Sequence, residues 1–303
     1  MKVLVVVSGN HTQVAPFVTE QAEALRQAGC EVELFCVTGH GLLGYLRNLK
    51  PLKAAVRQFN PGIIHAHYGL CGLLCTIQRI VPVVVTYHGS DVNNKKMMRL
   101  SRIAMRRAAH NIFVSKALLM KAGESAVRAS VIPCGVNLEV FRQTDRCEAR
   151  IRMGLRIDDC YVLFAGSFDN EVKNPQLARE ACALMANVKL LELKGYSRQE
   201  VALLLNAADC LLMTSHSEGS PQVTKEALAC GCPMVSVDVG DVAEQLEGTD
   251  AGVIVESTPQ AIATAIAAQL KREKKAPNSK WIERFDNRRI ATRLIEIYKT
   301  IIK

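Results

Sequence analysis

Apolar and polar positions along this chain alternate in two distinct rhythms. Val3-Leu4-Val5-Val6-Val7 is an unbroken apolar run that stops at Ser8-Gly9-Asn10, a strand-to-loop signal. Phe17 to Gln27 has helical spacing, Glu31 to Val37 reads as a strand and Leu52 to Gln58 as a helix. Ile63 to Ala66, Val83 to Tyr87 and Asn111 to Val114 are short apolar runs of strand type. The series restarts at Tyr161 to Ala165. A helix near Gln176 to Met185 follows, then a strand over Val188 to Leu193, a helix over Arg198 to Asn206, a strand ending at Met213, a further helix, and Met234 to Val237. Strands without polar alternation, separated by helices, predict parallel sheets covered on both faces, so the fold class is α/β. The polar stretch Gln143-Thr144-Asp145-Arg146 separates the two series and places domains over 1–145 and 146–284. Ser279 to Lys303 reads as a final helix with Ile290, Leu294, Ile297 and Ile301 on one face.

Length is compatible with this division, since 303 residues with 49% hydrophobic content suffice for two cores. No run of eighteen apolar residues occurs, and the first run is too short for a signal peptide, which predicts a cytoplasmic chain. Eleven cysteines, an odd number without a Cys-x-x-Cys pair, fit buried thiols in a reducing compartment. His65-Ala66-His67 with Cys71 and Cys75 lacks the spacing of a metal knuckle and reads as a strand end followed by a helix core.

Charge is uneven. Residues 1–150 carry 19 Lys or Arg against 9 Asp or Glu, whereas the remainder carry 19 against 20. Between residues 40 and 110 eleven basic side chains face a single acid, Asp91. Leu42 to Lys53 and Lys95 to Arg107 interleave these cations with bulky apolar residues. Such stretches suit a helix lying on an anionic bilayer at the inner face of a membrane, or else a solvated basic face over a core stripe. No aromatic platform accompanies them, so nucleic acid is not the expected partner.

The most informative stretch is Ser217-Glu218-Gly219-Ser220-Pro221 running into Glu226 and ending at Gly231 and Pro233. Ser220 and Pro221 read as N-cap and first position of a helix, with Glu218 in the loop before it and Glu226 about one turn inside. A helix N-terminus suits phosphate, and two carboxylates suit the hydroxyls of ribose and a sugar ring; acids at a helix start also occur simply to complement its dipole.

Glu-Gly-Ser-Pro, Lys225-Glu226-Ala227-Leu228-Ala229-Cys230-Gly231-Cys232-Pro233 and Asp238 to Glu244 together resemble the signature of glycosyltransferase family four, retaining enzymes of GT-B fold. Within that family the pattern is similar to bacterial surface-polysaccharide enzymes of the teichuronic-acid type. The resemblance implies two Rossmann-like domains facing a central cleft, an acceptor-side domain of residues 1–145 with helix 285–303 crossing back onto it, and a nucleotide-sugar domain of 146–284. It implies a nucleotide-diphosphate sugar donor of UDP or GDP type, a glycan or lipid-linked acceptor, and no cofactor or metal. His88 of His88-Gly89-Ser90-Asp91 matches the family's His-Gly-x-Asp and would contact the donor sugar, while Lys173 would neutralise the diphosphate. Glu218 would orient the sugar and Glu226 the ribose. Gly166, Ser167, Gly219, Ser220, Pro221, Gly9 and Asn10 would surround the phosphates, with Tyr196 beside the base. Ser167 stands where many members have Arg, and Ala15 where many have Gly, departures that would also suit a noncatalytic nucleotide-sugar-binding partner. A GT-B sugar-nucleotide epimerase would share the fold.

Overall fold

The computed structural model describes residues 1–10, 14–272 and 279–302. It divides into two compact units, Met1–Gly135 with Phe285–Lys303, and Val136–Arg284. The expected break at residue 145 is preceded by a segment tied to the second unit. There Asn206 Oδ1 accepts from Thr144 N at 2.7 Å and its Nδ2 donates to Arg142 O at 3.0 Å.

In the first unit the order is β1 (Lys2–Ser8), α1 (Pro16–Gln27), β2 (Glu31–Val37), α2 (Gly41–Leu46), α3 (Leu49–Phe59), β3 (Ile63–His67), α4 (Gly69–Gln78), β4 (Val83–Tyr87), α5 (Ser90–Asn93), α6 (Lys95–Arg107), β5 (His110–Phe113), α7 (Lys116–Ala122) and β6 (Ala129–Val131). The six strands are all parallel, in the order β2-β1-β3-β4-β5-β6. Successive residues of a strand point to opposite faces, and β1 divides accordingly. Val3, Val5 and Val7 pack with Ile63, Val18 and Leu25 on one side, while Leu4 and Val6 join Ile64, Leu52 and Leu74 on the other.

The stretch Leu42 to Lys53, read as suited to a surface-lying helix or a solvated face, spans two helices, α2 and α3, meeting at Arg47 and Asn48, and α3 contains the helix read over Leu52 to Gln58. Pro51 accounts for the break, since a proline inside a continuous helix would clash with the carbonyl four residues back. Tyr45, Asn48 and Leu52 are buried and Leu42 and Leu43 exposed. In α6 the Asn94 side chain accepts from Lys96 N and Met97 N, and the apolar stripe of Met98, Ala104 and Met105 is buried with α4 alongside. That stripe belongs to the core; the cations Lys95, Lys96, Arg99, Arg102, Arg106 and Arg107 stay exposed.

The second unit contains α8 (Arg146–Arg152), β7 (Cys160–Phe164), α9 (Pro175–Ala183), β8 (Val188–Glu192), α10 (Arg198–Ala207), β9 (Cys210–Met213), α11 (Gln222–Ala229), β10 (Met234–Val237), α12 (Val242–Leu246), β11 (Gly252–Val255), α13 (Pro259–Leu270) and α14 (Ser279–Glu283). Its five strands are also parallel, in the order β11-β10-β9-β7-β8.

The final helix of the sequence reading is likewise broken, into α14 and α15 (Asn287–Ile302); Lys303 lies outside the described residues. Asp286 opens α15, its carboxylate accepting from Arg288 N at 2.9 Å and its carbonyl from Ile290 N at 3.0 Å, as a helix cap does. Helix α15 belongs to the first unit, where it lies along α1 and sets Ile290, Leu294, Ile297 and Ile301 against the face built by Val3, Val5, Val7 and Ile63. Among the described residues no helix is long and apolar enough to cross a membrane.

Candidate functional site

In an open parallel sheet, ligands bind beyond the C-terminal ends of the strands where the strand order reverses. The second sheet reverses between β7 and β9, and the loops leaving these two strands carry Gly166 and Glu218. Lys173, in the turn after β7, meets Glu218 there: its Nζ donates to Oε1 at 2.6 Å, with both side chains mostly buried. Two backbone features create the room. A Cβ on Gly166 would come within 2.7 Å of Lys173 Cγ, and one on Gly240, at φ +61°, within 3.0 Å of Glu218 Cβ. Gly240 had no role assigned from sequence, because its closeness to Glu218 is a tertiary contact.

Helix α11 begins one residue later than expected. Pro221 is its N-cap, with φ −62° and ψ 131°, and no side chain caps its first turn. Ser220 does not cap the helix; its hydroxyl accepts from Gln245 Nε2 at 3.4 Å. Pro221 has no side-chain oxygen to offer the first turn of α11, and a helix N-terminus suits an anion.

Glu226 is buried within α11 and its carboxylate bonds Arg198 at the start of α10, whose guanidinium also covers the Phe141 ring at 4.5 Å. Sequence reasoning missed Arg198; 28 residues separate the pair, and nothing local in Ser197-Arg198-Gln199-Glu200 beyond its capping box marks it. Ser167 Oγ bonds Asp169 and lies 3.4 Å from Glu192 Oε2, and Lys194 Nζ reaches Asp169 at 2.6 Å. Tyr196 is 43% exposed, after Gly195 at φ +80°. Among the described residues no three His, Cys, Asp or Glu side chains gather as a metal site.

In the first sheet the order reverses between β1 and β3. Gly9 was expected to offer its amide to a phosphate, but that amide donates to Val37 O at 2.7 Å. Asn10 is used in the fold as well, its Nδ2 donating to Gly39 O at 2.7 Å and its Oδ1 accepting from Gly39 N at 2.8 Å. These bonds tie the loop after β1 to the loop after β2; residues 11–13 of the former lie outside the described residues.

His88 follows β4 and is half-buried among aromatic neighbours, Phe17 and Tyr68 both at 4.7 Å between ring centroids. Asp91 shapes its turn, accepting from His88 N, Gly89 N at 2.9 Å and Gly69 N at 3.2 Å. Gly89 permits this with φ 131°. Burial pushes the Asp91 carboxyl up to about 6 against these amide bonds. Behind His88 stand two further imidazoles of β3. His65 bonds Tyr298 of α15 at 2.5 Å and Thr86 at 2.7 Å, and His67 bonds His88 at 3.0 Å.

Two all-parallel α/β units, of six and five strands, are the architecture of the GT-B class of fold. The family model described as Glycosyltransferase Family 4 matches residues 14–140, and that described as Glycosyl transferases group 1 matches residues 145–285. Between them the two models take in both units, and the chain is similar to these glycosyltransferase families over most of its length. A Bacillus subtilis protein assigned to teichuronic acid biosynthesis as the glycosyltransferase TuaC is 29% identical over 247 residues, 72% of this chain and 63% of that protein. D-inositol 3-phosphate glycosyltransferase of Mycobacterium marinum is 26% identical over 242 residues, covering 64% of this chain and 52% of its own length. The chain therefore spans between half and two thirds of these relatives. Sucrose-phosphate synthase of Thermosynechococcus elongatus superposes with a TM-score of 0.83 at 20% identity over 99% of both chains. Anabaena HepE in complex with UDP-glucose does so with 0.77 at 17% identity, over 99% of this chain and all of its own.

Proposed function

We propose that this chain transfers a sugar from a nucleotide-diphosphate donor to an acceptor hydroxyl, with retention at the anomeric carbon and without a metal, in bacterial surface-polysaccharide or lipid-linked glycan synthesis. The observation that carries the reading is the Lys173–Glu218 pair at the strand-order reversal of the second sheet. An ammonium has three N–H donors and the bond to Glu218 uses one, so Lys173 can hold a phosphate oxygen and the carboxylate together. The N-terminus of α11 adds a fixed positive end. As the glycosidic bond breaks, negative charge grows on the diphosphate, and donors already in place stabilise it without reorganising. Glu218, held by Lys173, turns its remaining acceptor capacity to the sugar hydroxyls and favours positive character at the anomeric carbon. In this reading Glu226, steadied by Arg198, accepts from ribose, and His88 of the first unit hydrogen-bonds the sugar. The departing phosphate takes the acceptor proton, so no covalent nucleophile is called for. HepE, bound to UDP-glucose, and the teichuronic acid relative support a uridine donor and a surface-glycan acceptor.

Calorimetry of Lys173→Met against UDP, GDP and uridine tests the donor site. Affinity for the diphosphates should fall tenfold or more, the loss of one charged hydrogen bond of about 1.5 to 3 kcal/mol, while uridine binding stays unchanged. Equal losses for UDP and uridine would remove Lys173 from the phosphate. Transfer should persist in a chelator of divalent metals, with an α-linked product from an α-linked donor.

The membrane reading rests on charge. Since the apolar stripe of α6 is committed to the core, its exposed cations would meet an anionic membrane electrostatically, with Ile103 of α6 itself and Leu42 and Leu43 of α2 as exposed apolar side chains.

A further inference from the structure

Three histidines stand in a column in the first unit. The rings of His65 and His67 stack at 4.7 Å between centroids with planes 17° apart, and those of His67 and His88 at 5.2 Å with planes 22° apart. His65 has both nitrogens engaged, by Tyr298 and Thr86. His67 differs: Nδ1 faces His88 Nε2 at 3.0 Å, while its own Nε2 is fully buried without a hydrogen-bond partner.

Between two neutral imidazoles one proton serves the shared bond, and the orphaned nitrogen decides who supplies it. If His88 Nε2 carried the proton, His67 Nδ1 would accept it and the His67 proton would sit on Nε2, a buried N–H with nothing to receive it. If His67 carries its proton on Nδ1, the orphan is only a bare lone pair. Buried donors without acceptors are the rarer and costlier defect. Burial, reinforced by the adjacent His88, holds the His67 imidazole well below the usual histidine range, so the ring stays neutral.

We propose that His67 is a positioning residue that fixes His88 as its Nδ1–H tautomer, so that His88 meets the sugar nucleotide as a hydrogen-bond donor and not as a base. This rests on the reading of His88 as a ligand contact. With Nε2 occupied as an acceptor by His67, the ligand-facing function of the His88 ring falls to Nδ1, whose neighbour in the fold is Cys134 Sγ at 3.6 Å. Thiol sulfur is a weak acceptor, and an oxygen of the ligand replaces it readily. A donor at this place selects a hydroxyl or phosphate oxygen over an ammonium or amide N–H.

Nitrogen NMR of the unmodified protein labelled with 15N-histidine tests the assignment, because protonated and bare ring nitrogens resonate far apart. Both His67 and His88 should be protonated at Nδ1; a His88 protonated at Nε2 overturns the proposal. His67→Phe keeps a stacked ring without the donor, and His67→Asn returns an N–H close to the place of Nδ1. The Phe variant should show His88 as a tautomer mixture, with kcat down about tenfold, the effect of one hydrogen bond, and KM within about threefold. His67→Asn should restore both tautomer and turnover. Unchanged His88 resonances in the Phe variant also overturn the proposal. These spectra are read without any transfer reaction, so failure of the glycosyltransferase reading and failure of this inference remain separate results.

Discussion

Arg198 and Glu226 form a contact that joins the first residue of α10 to the second turn of α11 and buries a carboxylate against a guanidinium only 25% exposed. The pair makes the ribose assignment more demanding than a lone acid would. Glu226→Gln should weaken nucleotide binding by roughly ten- to a hundredfold, the loss of a charged hydrogen bond. Arg198→Met should weaken binding as well and cost about 2 kcal/mol of stability, since it strips a charged partner from a buried carboxylate. Calorimetry with UDP and denaturant unfolding of both single variants and the double variant measure the coupling; additive losses would show that the two act independently.

Gly166→Ala should separate folding from activity. Gly166 does not need a left-handed backbone, so alanine suits its conformation, but the new Cβ would displace the stem of Lys173. Melting temperature should move by a few degrees at most, whereas kcat should fall by about tenfold or more as Lys173 leaves Glu218. Full activity with an unchanged melting temperature would detach Lys173 from the chemistry.

The Asp91 carboxyl lies near 6 in the folded chain against about 3.9 unfolded, because burial outweighs its backbone hydrogen bonds. A raised folded value means that the folded state binds the extra proton. Its contribution is fully present below about pH 4 and is lost as pH rises through 6. Relative to Asp91→Asn, the unmodified protein should therefore lose stability between pH 4 and 6 and run parallel above it. Urea unfolding across this range checks the sign; a widening advantage for the unmodified protein as pH rises would contradict it.

Replacing Lys95, Lys96, Arg99 and Arg102 with Gln should release the protein from anionic vesicles. Each cation near such a surface contributes about 1 kcal/mol, and the attraction is screened by salt. Binding of UDP should be unchanged. Flotation with anionic and neutral vesicles at low and physiological salt decides the matter, and equal, negligible binding to both would leave α6 a solvated face.

How much of this was legible in the sequence follows from what each segment contacts. β1, β4 and β10 lie inside their sheets, so their apolar runs stand out, and the runs at Val83–Tyr87 and Met234–Val237 match the observed strands to the residue. β6 and β11 are edge strands of three and four half-buried residues; β6 has no apolar run to announce it, and the short run Val253-Ile254-Val255 of β11 is not read as a strand from sequence. The amphipathic spacing of α6 showed a stripe and a basic face but not what covered the stripe, which is set by α4 some twenty residues earlier. At the candidate site, Glu218, Lys173 and His88 were found through motif and resemblance. Arg198 stands against Glu226, Gly240 against Glu218 and His67 against His88 by tertiary contact, a relation that linear spacing does not carry.

The helix α15 that Asp286 opens has a consequence for how the chain is made. It covers Val3, Val7 and Ile63 and bonds the buried His65 through Tyr298, yet the whole second unit is synthesised before it. As the chain leaves the ribosome, the part of that face beside α1 waits uncovered until residues 287–302 arrive, while the second unit has all of its strands and can fold earlier. The unit made first is completed last.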